Sequence, residues 1–289
     1  MRYRFIQQSS EQFPIRILCR VLRVSTSGYY TWLSRPESPR TRRNRRLALQ
    51  LRAAYARSRK TYGRRRLHAQ LRAEGIPCSR NRVARLMRQE GIYGRRRRGF
   101  RITTDSKHNL PVAENLLGRD FSVTAPDQVW VSDITYLPCA EGWEYLASVM
   151  DLYSRRIVGW AMQSSLERSL TLRALEMAVA QRQPAPGLLH HSDRGSQYAC
   201  GDYQAALGQQ GMICSMSRKG DPWDNAPKES FFGTLKTELG QDASRSPREQ
   251  VRQEVFNYIE VFYNRQRLHS ALGYLSPAIF ESLSAAKAA

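Results

Sequence analysis

The chain has 289 residues, 41% of them hydrophobic, and a formal net charge of +21 at pH 7. This length suits one large domain or two smaller ones, and no apolar run of about 18 residues is present, which excludes a membrane-spanning helix. The N-terminus lacks the apolar stretch of a signal peptide, and the five widely spaced cysteines form no Cys-x-x-Cys pair. We therefore expect a reduced, cytoplasmic protein with no membrane partner.

The positive charge is concentrated at the start of the chain. Residues 1–110 hold 29 Lys and Arg against 5 Asp and Glu, whereas residues 111–289 hold 17 against 20. A modest excess would indicate only a solvated basic surface. An Arg-rich stretch of this density favours phosphate contact, because guanidinium groups bind phosphate oxygens in pairs. The N-terminal part is therefore predicted to bind nucleic acid.

Residues 1–40 are predicted to form a helical segment. Apolar residues recur at helical spacing over 15–22, and Ser25 is a candidate cap for a second helix that carries Tyr29 and Trp32. The short break between these helices is typical of a helix-turn-helix. A plain helical hairpin explains this segment equally well.

Residues 41–98 are predicted to form a basic helix-turn-helix DNA-binding domain. A helix over 42–59 precedes one that stops at Gly75, and Ser79 is a candidate cap for a third over 80–90. The last two helices, joined by a turn of about three or four residues, place the second in a major groove. The four arginines that follow are predicted to lie as an arm along phosphates. The predicted DNA-binding residues here are Arg64, Arg65, Arg66, Arg80, Arg82, Arg85, Arg88, Arg95, Arg96, Arg97 and Arg98.

The next segment, 99–125, has weak periodicity and scattered Asn, Pro and Ser, which predicts an extended linker with a short helix near 114–117. Strands and helices follow from residue 126. The predicted strands are 129–137, 143–150, 156–162, 188–193 and 212–216, and the predicted helices are 169–183, 196–209, 226–240 and 247–264. This β-β-β-α-β-α-β-α order predicts an α/β fold of the ribonuclease-H-like type, with a mixed five-stranded sheet and flanking helices, preceded by an all-α region.

Three carboxylates from separate segments are candidates for a metal site. Asp133 lies in the first strand, Asp193 ends the fourth, and Glu229 lies in the helix after the fifth. Magnesium prefers oxygen ligands and keeps several waters, so two or three carboxylates and a phosphate suffice to hold it. Two such ions activate an attacking oxygen and stabilise a leaving one. The chain has 25 acidic residues, and by position alone these three are not distinguished from surface charges.

The residues around these acids resemble a known family. The matching segments are YGRRRLHA (62–69), QVWVSDITY (128–136), YLASVMDLYSRRIVGW (145–160), HSDRGSQY (191–198), SRKGDPWDNAPKESFFGTLKTE (217–238) and YNRQRLHSALGY (263–274). They resemble the DDE transposases with a retroviral-integrase-like core, and more narrowly the downstream-frame (OrfB) proteins of bacterial insertion sequences of the IS-three type. The family places 35 residues between its second Asp and its Glu, and a basic residue seven positions later. Here 35 residues separate Asp193 from Glu229, and Lys236 lies seven positions on.

This resemblance implies that Asp133, Asp193 and Glu229 bind two Mg²⁺ ions, for which Mn²⁺ can substitute, and that Lys236 contacts DNA beside the cleaved phosphate. Residues 126–282 are then an integrase-like catalytic core with a C-terminal helical extension. The implied function is transposition: the protein binds element-end DNA, frees a 3′-hydroxyl by hydrolysis and joins it to another phosphodiester. The implied partners are double-stranded DNA (terminal inverted repeats and target DNA), further copies of the chain on that DNA, and an upstream-frame (OrfA) partner or fusion. The implied location is the bacterial cytoplasm, at the nucleoid.

Two other functions stay open. A metal-dependent nuclease of the same fold would only hydrolyse, and the 35-residue spacing, Lys236 and the basic N-terminal part disfavour it. A DNA-binding regulator with an inactive core is disfavoured by the presence of all three acids.

Some neighbouring side chains keep two interpretations each. Before the Glu229 helix, Asn225 is predicted to cap it and Asp224 to favour its N-terminus, with a further metal-ligand role for Asp224 less favoured. Lys236 itself also fits a solvated helix lysine. Three histidines either act at a functional site or pack in the core: His190, His191 and, with Arg265 and Arg267, His269.

Overall fold

A computed structural model describes residues 1–95, 110–218, 222–240 and 246–288. They divide into two compact units, Met1–Arg52 and Ala53–Ala289. Within the described ranges, no helix combines the length and apolar character that crossing a membrane would need.

The first unit begins with three short helices around a small core. They are α1 (Arg2–Ser9), α2 (Ile15–Val21) and α3 (Thr26–Ser34). Ile6 and Tyr29 are buried between them, with the ring of Tyr3 packed against that of Trp32. The predicted pair of helices is present as α2 and α3, and the Ser25 hydroxyl accepts the N–H of Gly28 at 3.2 Å as predicted for a cap. Helix α1 was not predicted.

Three basic helices follow along the chain: α4 (Pro39–Arg57), α5 (Arg64–Ala73) and α6 (Arg80–Gln89). The Ser79 hydroxyl caps α6 by accepting the N–H of Arg82 at 3.3 Å. The predicted turn of three or four residues is wrong, because six residues (74–79) join α5 to α6. Gly75, with φ +73°, ends α5 in a left-handed turn, and Ile76 donates back to Leu71 at 2.9 Å. The remaining residues form neither helix nor strand, and the extended Ser79 precedes the next helix.

Five strands form one mixed sheet in the second unit. They are β1 (Val129–Cys139), β2 (Gly142–Asp151), β3 (Ile157–Gln163), β4 (Leu189–Ser192) and β5 (Ile213–Met216), in the spatial order β3-β2-β1-β4-β5. The first three are antiparallel, and β4 and β5 run parallel to β1. The predicted mixed five-stranded sheet is confirmed, and β1 and β4 are neighbours in it.

The remaining helices pack on this sheet or follow it. They are α7 (Arg168–Arg182), α8 (Ser196–Ala199), α9 (Gly201–Gln209), α10 (Ala226–Leu239), α11 (Arg248–Phe256) and α12 (Pro277–Ala288). Helix α7 lies against β2 and β3. This approach requires glycine at Gly159, since a Cβ there would stand 2.1 Å from the carbonyl oxygen of Ala174. Buried aromatic and aliphatic side chains, among them Trp130, Leu170 and Tyr203, fill the core.

Three predicted helices differ from the structure. The helix over 196–209 is two helices, because Cys200 is extended. The helix over 247–264 ends as α11 and continues as a π-helical turn, Asn257–Tyr263, after which the Asn264 amide pairs with both backbone groups of Ile157. No helix forms over 114–117: the N–H groups of Leu116 and Leu117 instead donate to the Ser215 hydroxyl on β5.

Candidate active site

Asp133 and Asp193 meet where two parallel strands lie side by side. Asp133 lies within β1, opposite Ser148 of β2, and Asp193 directly follows β4. The turn after β4 fixes the second carboxylate, because Asp193 Oδ1 accepts the N–H of Gly195 at 2.9 Å. A Cβ at Gly195 would stand 3.0 Å from that same oxygen, so glycine suits this turn.

Glu229 comes from the first turn of α10, which packs against β1. The start of this helix is tied to the strand by Asn225, whose Nδ2 donates to the carbonyl oxygen of Ser132 at 3.1 Å. Asn225 is the N-cap residue of α10, as predicted, but its side chain makes no capping hydrogen bond because the amide is turned toward β1. This contact holds the helix beside the residue that precedes Asp133.

The three carboxylates influence one another electrostatically. Loss of solvent and then the neighbouring Asp193 raise the pKa of Asp133, and Glu229 adds a smaller effect in the same direction. Such repulsion is what a bound cation relieves. Among the described side chains, however, no three His, Cys, Asp or Glu groups stand close enough to hold one ion as they are. The three acids nonetheless form a charged cluster, since both Asp193 and Glu229 act on Asp133.

Lys236 lies two turns along α10 from Glu229, as its spacing predicts. Its side chain is exposed, and Nζ lies 4.6 Å from the centre of the Tyr136 ring on β1. Loss of solvent lowers the pKa of Lys236, and the negative charge of nearby Asp133 opposes this shift. Helix α10 thus presents an acid and a base toward the same strand.

Sequence reasoning did not single out Lys228. This side chain is fully buried, and its Nζ donates to the Ser148 hydroxyl at 2.5 Å. One signal was available: Lys228, Phe231, Phe232 and Leu235 follow the i, i+3, i+4, i+7 spacing of a buried helix stripe. A lysine on such a stripe needs a partner inside the protein.

Asp224 has a structural role that differs from that of the three acids. Its buried carboxylate accepts hydrogen bonds from Arg119 at 2.8 Å, from the Arg218 side chain at 2.8 Å and from Asn115 at 2.8 Å. Arg218 and then Arg119 hold the pKa of Asp224 well below its usual range. Both carboxylate oxygens are engaged by these groups, which assigns Asp224 to holding the turn before α10.

The adjacent histidines are core residues. His190 Nε2 pairs with the Ser132 hydroxyl at 2.8 Å, and burial lowers the pKa of His190 to about 3. His191 pairs with the hydroxyls of Ser215 and Ser217 at 2.9 and 3.1 Å, and burial lowers its pKa to about 4. Both rings are therefore neutral near pH 7 and support the strand that ends at the second acid.

The C-terminal basic cluster also supports the core. Arg267 is buried in a two-bond ion pair with Glu238, at 2.9 and 2.8 Å. His269 packs edge-on against Tyr263 at 4.7 Å, and burial lowers its pKa. Arg265 alone of the three is exposed.

The predicted DNA-binding arginines separate into distinct environments. Arg66 donates to the carbonyl oxygen of Leu268 at 2.9 Å, and Arg95 donates to those of Thr237 and Glu238 at 3.1 and 3.0 Å. Both sets of hydrogen bonds lie within the second unit, where Arg66 is half-buried and Arg95 is exposed. The other helix arginines reach the surface, fully or in part: Arg64, Arg65, Arg80 and Arg88 are exposed, and Arg82 and Arg85 half-buried. Arg96, Arg97 and Arg98 lie outside the described residues.

Family models match most of the chain. An HTH-like domain matches residues 42–100, and two models of an integrase core domain match residues 123–222 and 210–277. The two integrase-core matches together span β1 to β5 and α10.

Similar proteins are found across nearly the full length. The chain is 48% identical over 263 residues to the insertion element IS600 uncharacterized 31 kDa protein of Shigella sonnei, covering 91% of this chain and 97% of that one. It is 44% identical over 284 residues to the transposase InsF for insertion sequence IS3A of Escherichia coli strain K12, covering 98% and 99%.

Solved structures give a more distant likeness. A chain of the simian T-cell lymphotropic virus intasome in complex with PP2A regulatory subunit B56 gamma matches with a TM-score of 0.46 and 16% identity, covering 74% of this chain and 69% of that one. The HTLV-2 integrase catalytic core domain in complex with magnesium matches with a TM-score of 0.43 and 14% identity, covering 54% and 97%.

Proposed function

The chain belongs to the InsF transposases of IS3-type insertion sequences, and we propose that Asp133, Asp193 and Glu229 are the acids with which it cuts and joins DNA. Its integrase core and helix-turn-helix-like region make it a DDE-type polynucleotidyl transferase, and strand cleavage and transfer are the activity of its family. The observation that carries the residue assignment is the electrostatic cluster of three carboxylates at the junction of β1, β4 and α10.

The donor set fits a hard divalent cation. Three carboxylates supply oxygen ligands, and the repulsion that raises the pKa of Asp133 is relieved by positive charge. We infer two Mg²⁺ ions, with Mn²⁺ as a substitute. Bound ions of this kind activate an attacking oxygen and stabilise the leaving one. The protein's own part is to hold the acids on rigid elements: Asp193 through Gly195, and Glu229 through the Asn225 contact with β1.

DNA is bound, in this proposal, by groups on both the helices and the core. Exposed Lys236 contacts a phosphate near the reacting bond, since α10 directs it to β1, the strand that carries Asp133. The surface arginines of α5 and α6 contact the duplex. These are Arg64, Arg65, Arg80, Arg82, Arg85 and Arg88. The DNA ligands are terminal inverted repeats and target DNA. Further copies of the chain bind on this DNA, and an upstream-frame (OrfA) protein is a partner. Acting on chromosomal DNA, the protein works in the cytoplasm at the nucleoid.

The assignment is tested with Asp193→Asn, which removes one carboxylate charge at nearly constant shape. We expect loss of both cleavage and joining when the variant is incubated with Mg²⁺, labelled element ends and plasmid. A gel-shift assay should show DNA binding close to that of the wild type. The matched control is Asp202→Asn, which changes an exposed acid of α9 and should leave joining intact.

Joined products from Asp193→Asn would contradict the triad. A wild-type protein that cuts element ends but never yields joined products would instead favour the hydrolytic nuclease.

A further inference from the structure

Lys228 places a positive charge inside the protein next to the proposed triad. Its side chain is fully buried, and Nζ donates to Ser148, which stands opposite Asp133 in the β1–β2 pairing. Directly paired residues on antiparallel strands present their side chains on the same face of the sheet. The ammonium group therefore reaches the sheet position beside the first acid, while the next residue along α10 is Glu229.

The surroundings of this ammonium group are mostly uncharged. The rings of Phe231 and Phe232 lie 5.1 and 4.8 Å from Nζ, and the hydrogen-bond partner Ser148 is neutral. Burying an ammonium is costly unless an opposite charge compensates it. Burial lowers the pKa of Lys228, and the charge of Asp133 opposes that shift and favours the ammonium form. The charge of Lys228 is thus tolerated because of the carboxylate cluster.

Packing alone does not call for a lysine here. The buried stripe of α10 is otherwise made of Phe231, Phe232 and Leu235, which dock the helix through apolar contact. A methionine would fill the channel taken by the four-carbon stem of Lys228 without placing a charge beside the acids. What distinguishes the lysine is its charge, and that charge acts on the cluster.

We propose that Lys228 is an internal counter-cation of the carboxylate cluster: it neutralises part of the charge of Asp133, Asp193 and Glu229 in the metal-free protein and weakens their affinity for divalent cations. This inference rests on the proposed metal triad. Lys228 is a positioning residue that acts through the acids and does not touch the DNA. Because its positive charge repels an incoming ion, it makes the acids bind metal less tightly than three uncompensated carboxylates would.

The test compares the affinity for Mn²⁺ of the full-length wild type with that of Lys228 variants. Binding of Mn²⁺ is measured by electron paramagnetic resonance in the absence of DNA. Lys228→Met removes the charge and keeps the length of the side chain. We expect its Kd for Mn²⁺ to fall by about tenfold, because a full charge beside the acids inside a protein is only partly screened. Lys228→Arg keeps the charge and should bind Mn²⁺ as the wild type does.

The direction of the change in Mn²⁺ affinity distinguishes this electrostatic role of Lys228 from a structural one. A lysine that merely anchors α10 would, when removed, misplace Glu229 and weaken Mn²⁺ binding. Weaker or unchanged affinity in folded Lys228→Met would overturn the inference. If that variant does not fold, Lys228→Gln takes its place, and failure of both neutral variants to fold would make Lys228 an anchor and overturn the inference as well.

Asp193→Asn separates failure of this inference from failure of the triad. Equal Mn²⁺ binding by the wild type and Asp193→Asn would contradict the metal triad itself. Mn²⁺ binding that depends on Asp193 but does not tighten in Lys228→Met would contradict the role of Lys228 alone.

Discussion

At the scale of single residues, the buried ring of His190 makes folding depend on pH. Burial lowers the pKa of His190 to about 3 in the folded protein, whereas an unfolded chain has the ordinary value of about 6.5. Below the unfolded value, the unfolded chain therefore gains a proton that the folded protein does not. The stability is complete above about pH 6.5 and is lost as the pH falls toward 3, with a contribution of roughly 2 kcal/mol between pH 7 and pH 5.

Urea unfolding at pH 7 and pH 5 measures this contribution. His190→Gln keeps a polar group near Ser132 and removes the titration, so the variant should lose less stability than the wild type on acidification. His68→Gln is the matched control, since it removes a half-buried histidine that pairs with the backbone of Cys78, and its loss of stability is compared with that of His190→Gln. Equal losses in His190→Gln and the wild type would show that His190 is not the source.

The acids and Lys228 differ in how far sequence reveals them. Asp193 and Glu229 are marked by a spacing along one chain, which is a local property of the sequence. Lys228 looks from sequence like any charged helix residue, and only the strand register, which sets Ser148 opposite Asp133, shows where its ammonium lies. The hydrogen bond of the Asn225 side chain is hidden from the sequence for a similar reason. An asparagine before a helix can bond to the helix or to a neighbouring strand, and here the strand residue Ser132 is the partner.

At the scale of elements, α5 carries neighbouring arginines with different roles. Arg64 is exposed, whereas Arg66 is half-buried and donates to the carbonyl oxygen of Leu268 at 2.9 Å. Arg64→Ala should weaken DNA binding and reduce the salt slope of the affinity by about one unit, as loss of one phosphate contact does. Arg66→Ala should instead lower the free energy of unfolding by about 1 kcal/mol, the net value of a hydrogen bond.

Each variant serves as the control for the other, because both remove one positive charge from the same helix. Gel-shift titrations at several salt concentrations give the slope, and thermal melts give the stability. A loss of DNA affinity in Arg66→Ala as large as in Arg64→Ala would contradict the division of roles. So would an unchanged salt slope in Arg64→Ala.

The strands and most helices were predictable because each carries its own local pattern, such as the run of buried residues in β2 or the buried stripe of α6. The errors occur where a long-range partner decides the local geometry. Ser215 on β5 takes the N–H groups of Leu116 and Leu117 that a helix would have used for itself. The π-helical turn leads to Asn264, whose amide is fixed by Ile157 on β3.

At the scale of the whole molecule, the sheet order followed from the sequence of strands and helices, since few topologies satisfy it. The contacts of α5 with the C-terminal part of the second unit could not be predicted from the sequence. Leu268 donates its N–H to the Tyr62 hydroxyl at 2.7 Å and accepts from Arg66, across some two hundred residues of chain. No local pattern encodes such a pairing, which lies within one unit, Ala53–Ala289.

The separation of charge along the chain predicts that binding DNA and cutting it respond to different conditions. Residues 1–110 carry the excess of Lys and Arg, whereas the three acids lie in the remainder, where acidic residues outnumber basic ones. Phosphate contacts release counterions, so raising the salt from about 50 to 200 mM should weaken DNA binding on the order of a hundredfold or more. Chelating divalent ions with EDTA should abolish strand transfer and leave that salt dependence unchanged in parallel gel-shift titrations. A flatter slope after chelation would show that ions at the acids also hold the DNA, and the two activities would then not be separable.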